Sequence, residues 1–238
     1  MARTPHTDYL VLDIETVPDL TRWQKPEDRP EIFPPNWAHR IVAIGALWLD
    51  RAYRLARLGV VAGGDERALL GELSRIVGAG RPTLVTYNGR SFDLPVIAIR
   101  ALCHGVPLPW YYRDRAVRSR HSEDGHLDLC DSLADHGATR VGGLDAIARL
   151  IGLPGKLGVD GSQVEGLYAR GALAEIEAYC LTDVAQTALL LLRFRLLQGR
   201  LAPEVYRART EALLAGLAAD PRTEPVVRGA DRAQLLLS

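Results

Sequence analysis

Lysine is nearly absent from this chain of 238 residues: Lys25 and Lys156 are the only two, and arginine carries almost all the positive charge. Cationic and acidic side chains balance to a formal net charge of zero. That balance argues against a protein that coats nucleic acid through a broad basic surface, while leaving room for a local basic groove. Cysteine is scarce as well. Cys103, Cys130 and Cys180 are odd in number, far apart and set in apolar stretches, so no disulfide framework is expected and all three read as buried thiols in a reducing compartment. No histidine is spaced with a cysteine or another histidine as a structural zinc demands, so any bound metal is expected to have oxygen ligands. Long apolar runs are missing too: no stretch approaches the ~20 uninterrupted residues of a membrane helix, and Met1 to Asp8 lacks a cationic segment leading into an apolar one. A soluble, cytoplasmic protein with no membrane partner is expected.

What is present is ordinary in amount, 47% hydrophobic residues, but ordered in pattern. Short apolar runs at Tyr9–Asp13, Ile41–Leu49, Arg54–Val61, Thr83–Tyr87 and His126–Leu129 read as strands. Helical spacing marks Glu66–Val77, a segment from Asp93 to about His104, Gly143–Ile151, Ala172–Leu197 and Pro203–Leu217. In the longest of these the apolar stripe is Leu173, Ile176, Cys180, Val184 and Leu191. Pro18 to Trp37 holds five prolines with Trp23, Phe33 and Trp37, and is expected to be an ordered loop covering part of the sheet. Alternating strands and helices give an α/β class. One domain over residues 1–219 is expected, followed by a tail, 220–238, either disordered or packed as a small appendix.

The chemistry is carried by acids. Asp13-Ile14-Glu15 stands at the expected end of the first strand, where residues two apart share a face and so project two carboxylates into one place. Asp93 follows a strand and a turn, and its plain alternative role is a helix N-cap. Tyr179 and Asp183, four apart on a helix, lie on one face beside the apolar stripe. Each feature alone also fits a solvated or structural role. Their order is more specific: a strand DxE, a strand–turn–helix NGxxFD and a late-helix YxxxD, with Asp13, Asp93 and Asp183 spaced 80 and 90 residues apart.

Leu12-Asp-Ile-Glu-Thr16, Tyr87-Asn-Gly-Arg-Ser-Phe-Asp-Leu-Pro95 and Tyr179-Cys-Leu-Thr-Asp183 together resemble the DEDD 3′-to-5′ exonuclease superfamily in its tyrosine subgroup. More narrowly, they resemble predicted exonucleases related to the proofreading domain of family B DNA polymerases. Gly155-Lys-Leu-Gly-Val-Asp-Gly-Ser162 resembles that narrower family too, so the likeness spans roughly residues 8 to 198. In the histidine subgroup the base would stand five residues before the last aspartate, where this chain has Ala178. The resemblance implies a ribonuclease H-like fold with a mixed five-stranded sheet flanked by helices. It implies that Asp13, Glu15, Asp93 and Asp183 hold two Mg²⁺ or Mn²⁺ ions, with Asp13 bridging both and Tyr179 orienting the attacking water. It also implies substrate contacts from Thr16, Asn88, Phe92 and Lys156; a turn role for Asn88 and a solvated loop role for Lys156 are the alternatives.

Elementary electrostatics agrees with that ligand set. Four carboxylates within a few ångströms raise one another's pKa unless positive charge sits between them, and carboxylates with water suit hard divalent cations. The expected activity is phosphodiester hydrolysis from the 3′ end of single-stranded or frayed DNA, or of RNA, in repair or beside a polymerase. The alternative is a catalytically silent nucleic-acid-binding module or adaptor that keeps the fold. Asp128 and Asp131 are assigned to structure or solvent. Trp110-Tyr-Tyr-Arg-Asp-Arg115, continuing to Arg118 and Arg120, reads either as a loop that stacks bases and neutralises phosphates or as an ordinary basic loop. Oligomeric state is not legible.

Overall fold

The computed structural model describes residues 9–29, 32–158 and 161–237. Five strands, β1 (Tyr9–Pro18), β2 (His39–Leu49), β3 (Leu55–Val60), β4 (Thr83–Thr86) and β5 (His126–Asp128), form one sheet in the order β3-β2-β1-β4-β5. The first three are antiparallel neighbours, and β1, β4 and β5 run parallel. The sheet is therefore mixed, as expected. Between strands the chain forms α1 (Glu66–Gly80), α2 (Asp93–His104), α3 (Pro109–Arg113) and α4 (Arg115–Arg118). After β5 come α5 (Leu129–Leu133), α6 (Leu144–Leu150), α7 (Val164–Ala169), α8 (Leu173–Leu197), α9 (Pro203–Ala218), α10 (Glu224–Gly229) and α11 (Arg232–Leu236).

Alternation along β1 assigns its two faces. Leu10, Leu12 and Ile14 join the core under α1 and α2, whereas Tyr9 and Val11 pack into the core formed with α8 and α9. Asp13 and Glu15 continue the second set, so they point toward α8. The strand was expected to stop at Asp13 but runs five residues further, with a register shift between Glu15 and Thr16. Helix α8 is sandwiched between the sheet and α9, which explains burial nearly all round from Cys180 to Leu192. Its expected stripe is corrected at Leu173, which is exposed in the first turn, before the helix reaches the sheet.

The proline-rich segment after β1 is fastened by buried charge. Arg100 of α2 donates to Asp19 (2.8 Å) and twice to Glu66 (2.5 and 2.7 Å), and Glu66 also accepts from the Ile41 amide. Burial alone would raise the pKa of Asp19, but hydrogen bonds from Thr21, Arg100 and Arg22 outweigh it and hold the carboxyl well below its usual range.

Two expectations about side chains fail. Of the three thiols expected to be buried, only Cys180 is: Cys130 is half-buried, and Cys103 is exposed because it falls on the outer face of α2. Trp110 is buried in the core under α1 and α2, so it offers no stacking surface, and the segment expected as an irregular loop forms α3 and α4. Tyr112 of that segment is exposed, with the Arg118 guanidinium 5.5 Å from its ring centroid. Of the two states open to the tail, residues 220–237 take the packed one: Val226 and Leu235 belong to the core under α8. Leu235→Ala is expected to cost about 3 kcal/mol, because a fully buried leucine leaves a cavity there. A urea denaturation series would register the loss as a lower midpoint with an unchanged slope.

Candidate active site

Three separate segments meet beside β1. Pairing of β1 with β4 ends at Val11–Val85, so the next stretch of β1 has no strand on that flank. The first turn of α2 takes the place: Asp93 Oδ1 accepts the Ile14 amide at 3.2 Å, between the two acids of the DxE. Asp93 is thus not the N-cap of its helix, a position held by Phe92. The turn before it is tied down by Asp128, which accepts the amides of Asn88 and Arg90, both at 2.8 Å, and caps α5 through Cys130 and Asp131. That is a structural use of Asp128, and Asp131 likewise pairs with Arg120 and His136.

On the other side α8 lies hard against β2. Gly45, the partner of Asp13 in the β1–β2 ladder, donates its amide to Cys180 Sγ at 3.1 Å. A Cβ at Gly45 would stand 2.8 Å from Cys180 Sγ and 2.9 Å from Val184 Cγ2, closer than side chains tolerate. The missing side chain lets the helix approach and places Tyr179 and Asp183 next to the DxE. The thiol of Cys180 in turn donates to Asp13 Oδ2 at 3.4 Å.

Ligand atoms of Asp13, Glu15 and Cys180 lie within 4.8 Å of one another. Burial, then the charges of Asp93, Glu15 and Asp183, push the Asp13 carboxyl well above its ordinary range. Burial and the charges of Asp183 and Asp93 push Glu15 up to about 9. Asp93 rises to about 7 and Asp183 to about 6, each chiefly through burial. For Asp183, the Tyr179 hydroxyl and the Lys156 charge partly offset that rise. The Tyr179 phenol is pushed far above its usual value by burial and by the Asp183, Glu15 and Asp13 carboxylates, so it stays protonated and donates to Asp183. Burial likewise raises the Cys180 thiol, leaving it a neutral donor to Asp13. A protonated soft sulfur does not compete for a hard cation, whereas mutually repelling carboxylate oxygens are what one neutralises. The donor set therefore fits Mg²⁺ or Mn²⁺.

A cleft of about 230 Å³ borders this cluster, lined among others by Tyr179, Asp183, Gln186, Gly155, Lys156 and Asp145. A roomier cleft of about 520 Å³ lies beside Arg81, Trp110 and Arg113 and borders none of the five acid and tyrosine residues. Residues expected to touch substrate fall in three places. Lys156 is in the cleft; Val159 and Asp160 of its Gly155–Ser162 stretch lie outside the described residues. Thr16 and Phe92 meet through His39: Thr16 Oγ1 hydrogen-bonds His39 Nδ1 at 2.8 Å, and the His39 ring stands edge-on to Phe92 at 5.0 Å. Asn88 is exposed at the turn with φ +67°, a left-handed conformation that asparagine tolerates.

Sequence reasoning missed Gly45, Cys180, His39 and Phe33. Phe33, 69% exposed, packs 4.9 Å from His39 and 5.7 Å from Phe92, so an aromatic face stands beside Thr16. Aromatics inside a proline-rich run were the available signal.

A mixed β3-β2-β1-β4-β5 sheet with helices on both faces is a ribonuclease H-like α/β fold. The family described as "Predicted 3′-5′ exonuclease related to the exonuclease domain of PolB" matches residues 31–228, and the chain belongs to it. The matched stretch includes Asp93, Lys156, Tyr179 and Asp183; Asp13 and Glu15 precede it. Among solved structures, the family B DNA polymerase from the hyperthermophilic archaeon Pyrobaculum calidifontis is similar, with a TM-score of 0.55 and 20% identity over 96% of this chain. The chain spans 28% of that polymerase's length. No curated protein matches.

Proposed function

We propose that this chain hydrolyses phosphodiester bonds one nucleotide at a time from the 3′ end of single-stranded or frayed DNA. The observation that carries the reading is the convergence of β1, α2 and α8, which buries Asp13, Glu15, Asp93 and Asp183 together, so that every one of them has a pKa raised by burial first and, for Asp13 and Glu15, by the charges of the other acids as well. Asp13, Glu15, Asp93 and Asp183 would hold two Mg²⁺ or Mn²⁺ ions, which when bound acidify a water and neutralise charge on the departing 3′ oxygen.

The chain's own groups do the rest. Tyr179 keeps its proton, so its hydroxyl serves to orient the attacking water and not to deprotonate it. Lys156 brings the cleft a positive charge for the scissile phosphate. Phe33 and Phe92, backed by the buried His39 ring, offer a face on which a terminal base can stack, and Thr16, hydrogen-bonded to His39, and Asn88, whose carbonyl accepts the Phe92 amide, stand beside it to fix its sugar or phosphate. Kinship with a polymerase domain favours a 3′ end left by a polymerase or by repair as the natural substrate.

The test is a ladder assay on 5′-labelled single-stranded DNA, duplex DNA and RNA with Mg²⁺ or Mn²⁺. Stepwise shortening of single-stranded DNA is expected; preference for RNA would reassign the substrate, and inert protein on all three would reject hydrolysis in favour of a binding module. Tyr179→Phe is expected to lower kcat about tenfold through lost positioning. The kcat–pH profile should keep its shape, since no tyrosine ionisation contributes to it; a wild-type rate that rises with pH and a variant that loses that rise would make Tyr179 a base.

A further inference from the structure

We propose that Gln186 and Asp145 are positioning residues that clasp the Gly155–Lys156 peptide against α8 and so present the Lys156 ammonium to the substrate phosphate. The phosphate rests on the nuclease reading; the clasp rests on contacts within the chain. Gln186 lies one turn beyond Asp183 on α8 and is 1% exposed, a polar side chain in the most buried part of the helix. Its amide meets one residue twice: Oε1 accepts the Gly155 amide at 2.8 Å, and Nε2 donates to the Gly155 carbonyl at 3.1 Å. The Gly155–Lys156 peptide is held at its other end too, where Asp145 Oδ1 accepts the Lys156 amide at 2.7 Å while pairing with Arg149 Nε at 3.0 Å. Both hydrogen-bonding groups of Gly155 and the amide of Lys156 are therefore fixed by side chains.

The backbone between them is one that glycine alone suits. Gly155 has φ +72°, and a Cβ there would run into Asp145 Oδ1. A glutamine that merely filled space would leave its amide unpaired at a cost of about 1–3 kcal/mol, so the two bonds explain an amide at this site. They do more than anchor a loop, because Gln186, Gly155, Lys156, Tyr179 and Asp183 line the same cleft. Spacing along α8 thus couples the clasp to the carboxylate: one helical turn separates the residue that grips the loop from Asp183.

The chain has only two lysines, and this makes the test direct. Reductive ¹³C-methylation gives separate NMR signals for Lys25 and Lys156, assigned with Lys25→Arg and Lys156→Arg, and keeps both charges. In wild type, a short single-stranded phosphorothioate oligonucleotide with Ca²⁺ is expected to shift the Lys156 signal and not that of Lys25. Gln186→Met, similar in volume but unable to bond Gly155, should largely abolish the shift. Gln186→Glu keeps the acceptor, loses the donor, and should fall between them; it carries the comparison if the methionine variant melts early.

In hydrolysis, Gln186→Met should lower kcat about fivefold when Lys156 is present and have no further effect in a Lys156→Ala background. Equal losses in both backgrounds, or a Lys156 signal indifferent to the oligonucleotide or to Gln186, would overturn the clasp as a positioning device. An inert wild type whose Lys156 signal still shifts through Gln186 would reject the hydrolytic reading and leave the clasp standing.

Discussion

Asp13→Asn should abolish nuclease turnover, by about 10³-fold or more, and at the same time make the metal-free protein harder to unfold. The first effect follows from the proposed reading, in which Asp13 is one of the four metal ligands and an amide in its place supplies no negative charge. The second follows from the raised carboxyl pKa values. An acid whose folded pKa exceeds its unfolded value binds more protons when folded, so stability falls as pH rises between the two. For Glu15 that window runs from 4.5 to about 9, for Asp93 from 3.8 to about 7, and for Asp183 from 3.8 to about 6. Metal-free wild type should therefore be most stable near the lower end of that range and lose stability toward pH 9. Asp13 is itself raised well above its ordinary value, by burial and then by the charges of Asp93, Glu15 and Asp183, so replacing it by an uncharged amide removes its own share of that loss and flattens the profile. Differential scanning fluorimetry across pH, with EDTA or with Mn²⁺, checks both arms. Wild type should gain much more from Mn²⁺ at pH 8 than Asp13→Asn does, and equal gains would place the ion elsewhere.

Gly45→Val should reduce turnover about 10²-fold without touching any acid. The added side chain begins 2.8 Å from Cys180 Sγ and 2.9 Å from Val184 Cγ2, both in the middle of a packed helix, so the helix has to shift. Overpacking of this kind costs about 1–3 kcal/mol, and a displacement near 1 Å carries Tyr179 and Asp183 away from β1. Gly45→Ala meets the same two atoms with less bulk beyond Cβ, and its loss should lie between wild type and valine. Kinetics at saturating Mn²⁺ on a short single-stranded substrate, paired with thermal melting, separates lost alignment from lost fold. Wild-type kcat in the valine variant would show that the sheet and helix accommodate the change and that Gly45 is not what sets their approach.

The main fold was legible because its long elements obey simple periods. The helix from Glu66, the one from Asp93 and the long one ending at Leu197 all begin or end within a few residues of where the apolar spacing puts them. What was hidden had physical reasons. β1 seemed to end at Asp13 because alternation was masked by two acids on a buried face, where a carboxylate is normally read as solvent-facing. Helices α3, α4, α10 and α11 have four to six residues each, too short to repeat a period, and they form because Trp110, Val117, Val226 and Leu235 find core to pack in. In the site, the five residues picked out by motif order do converge on β1, but their supports do not look like chemistry in a sequence. Gly45 reads as a weak spot in a strand, Cys180 as one more apolar residue and Gln186 as a break in the apolar run of its helix.

Beyond Val11 the flank of β1 that faces β4 is left without a strand partner. Hydrogen-bond ladders normally extend until a chain turns away, yet here a lone carboxyl oxygen stands in for the carbonyl of an absent neighbour at Ile14. Two extra residues at the end of β4 would let peptide groups zip along that flank instead, evicting Asp93 and yielding a tidier, duller sheet. On the proposed reading, turnover is thus bounded by strand length, and an insertion after Thr86 is expected to abolish it in a ladder assay while leaving every acidic side chain in its sequence.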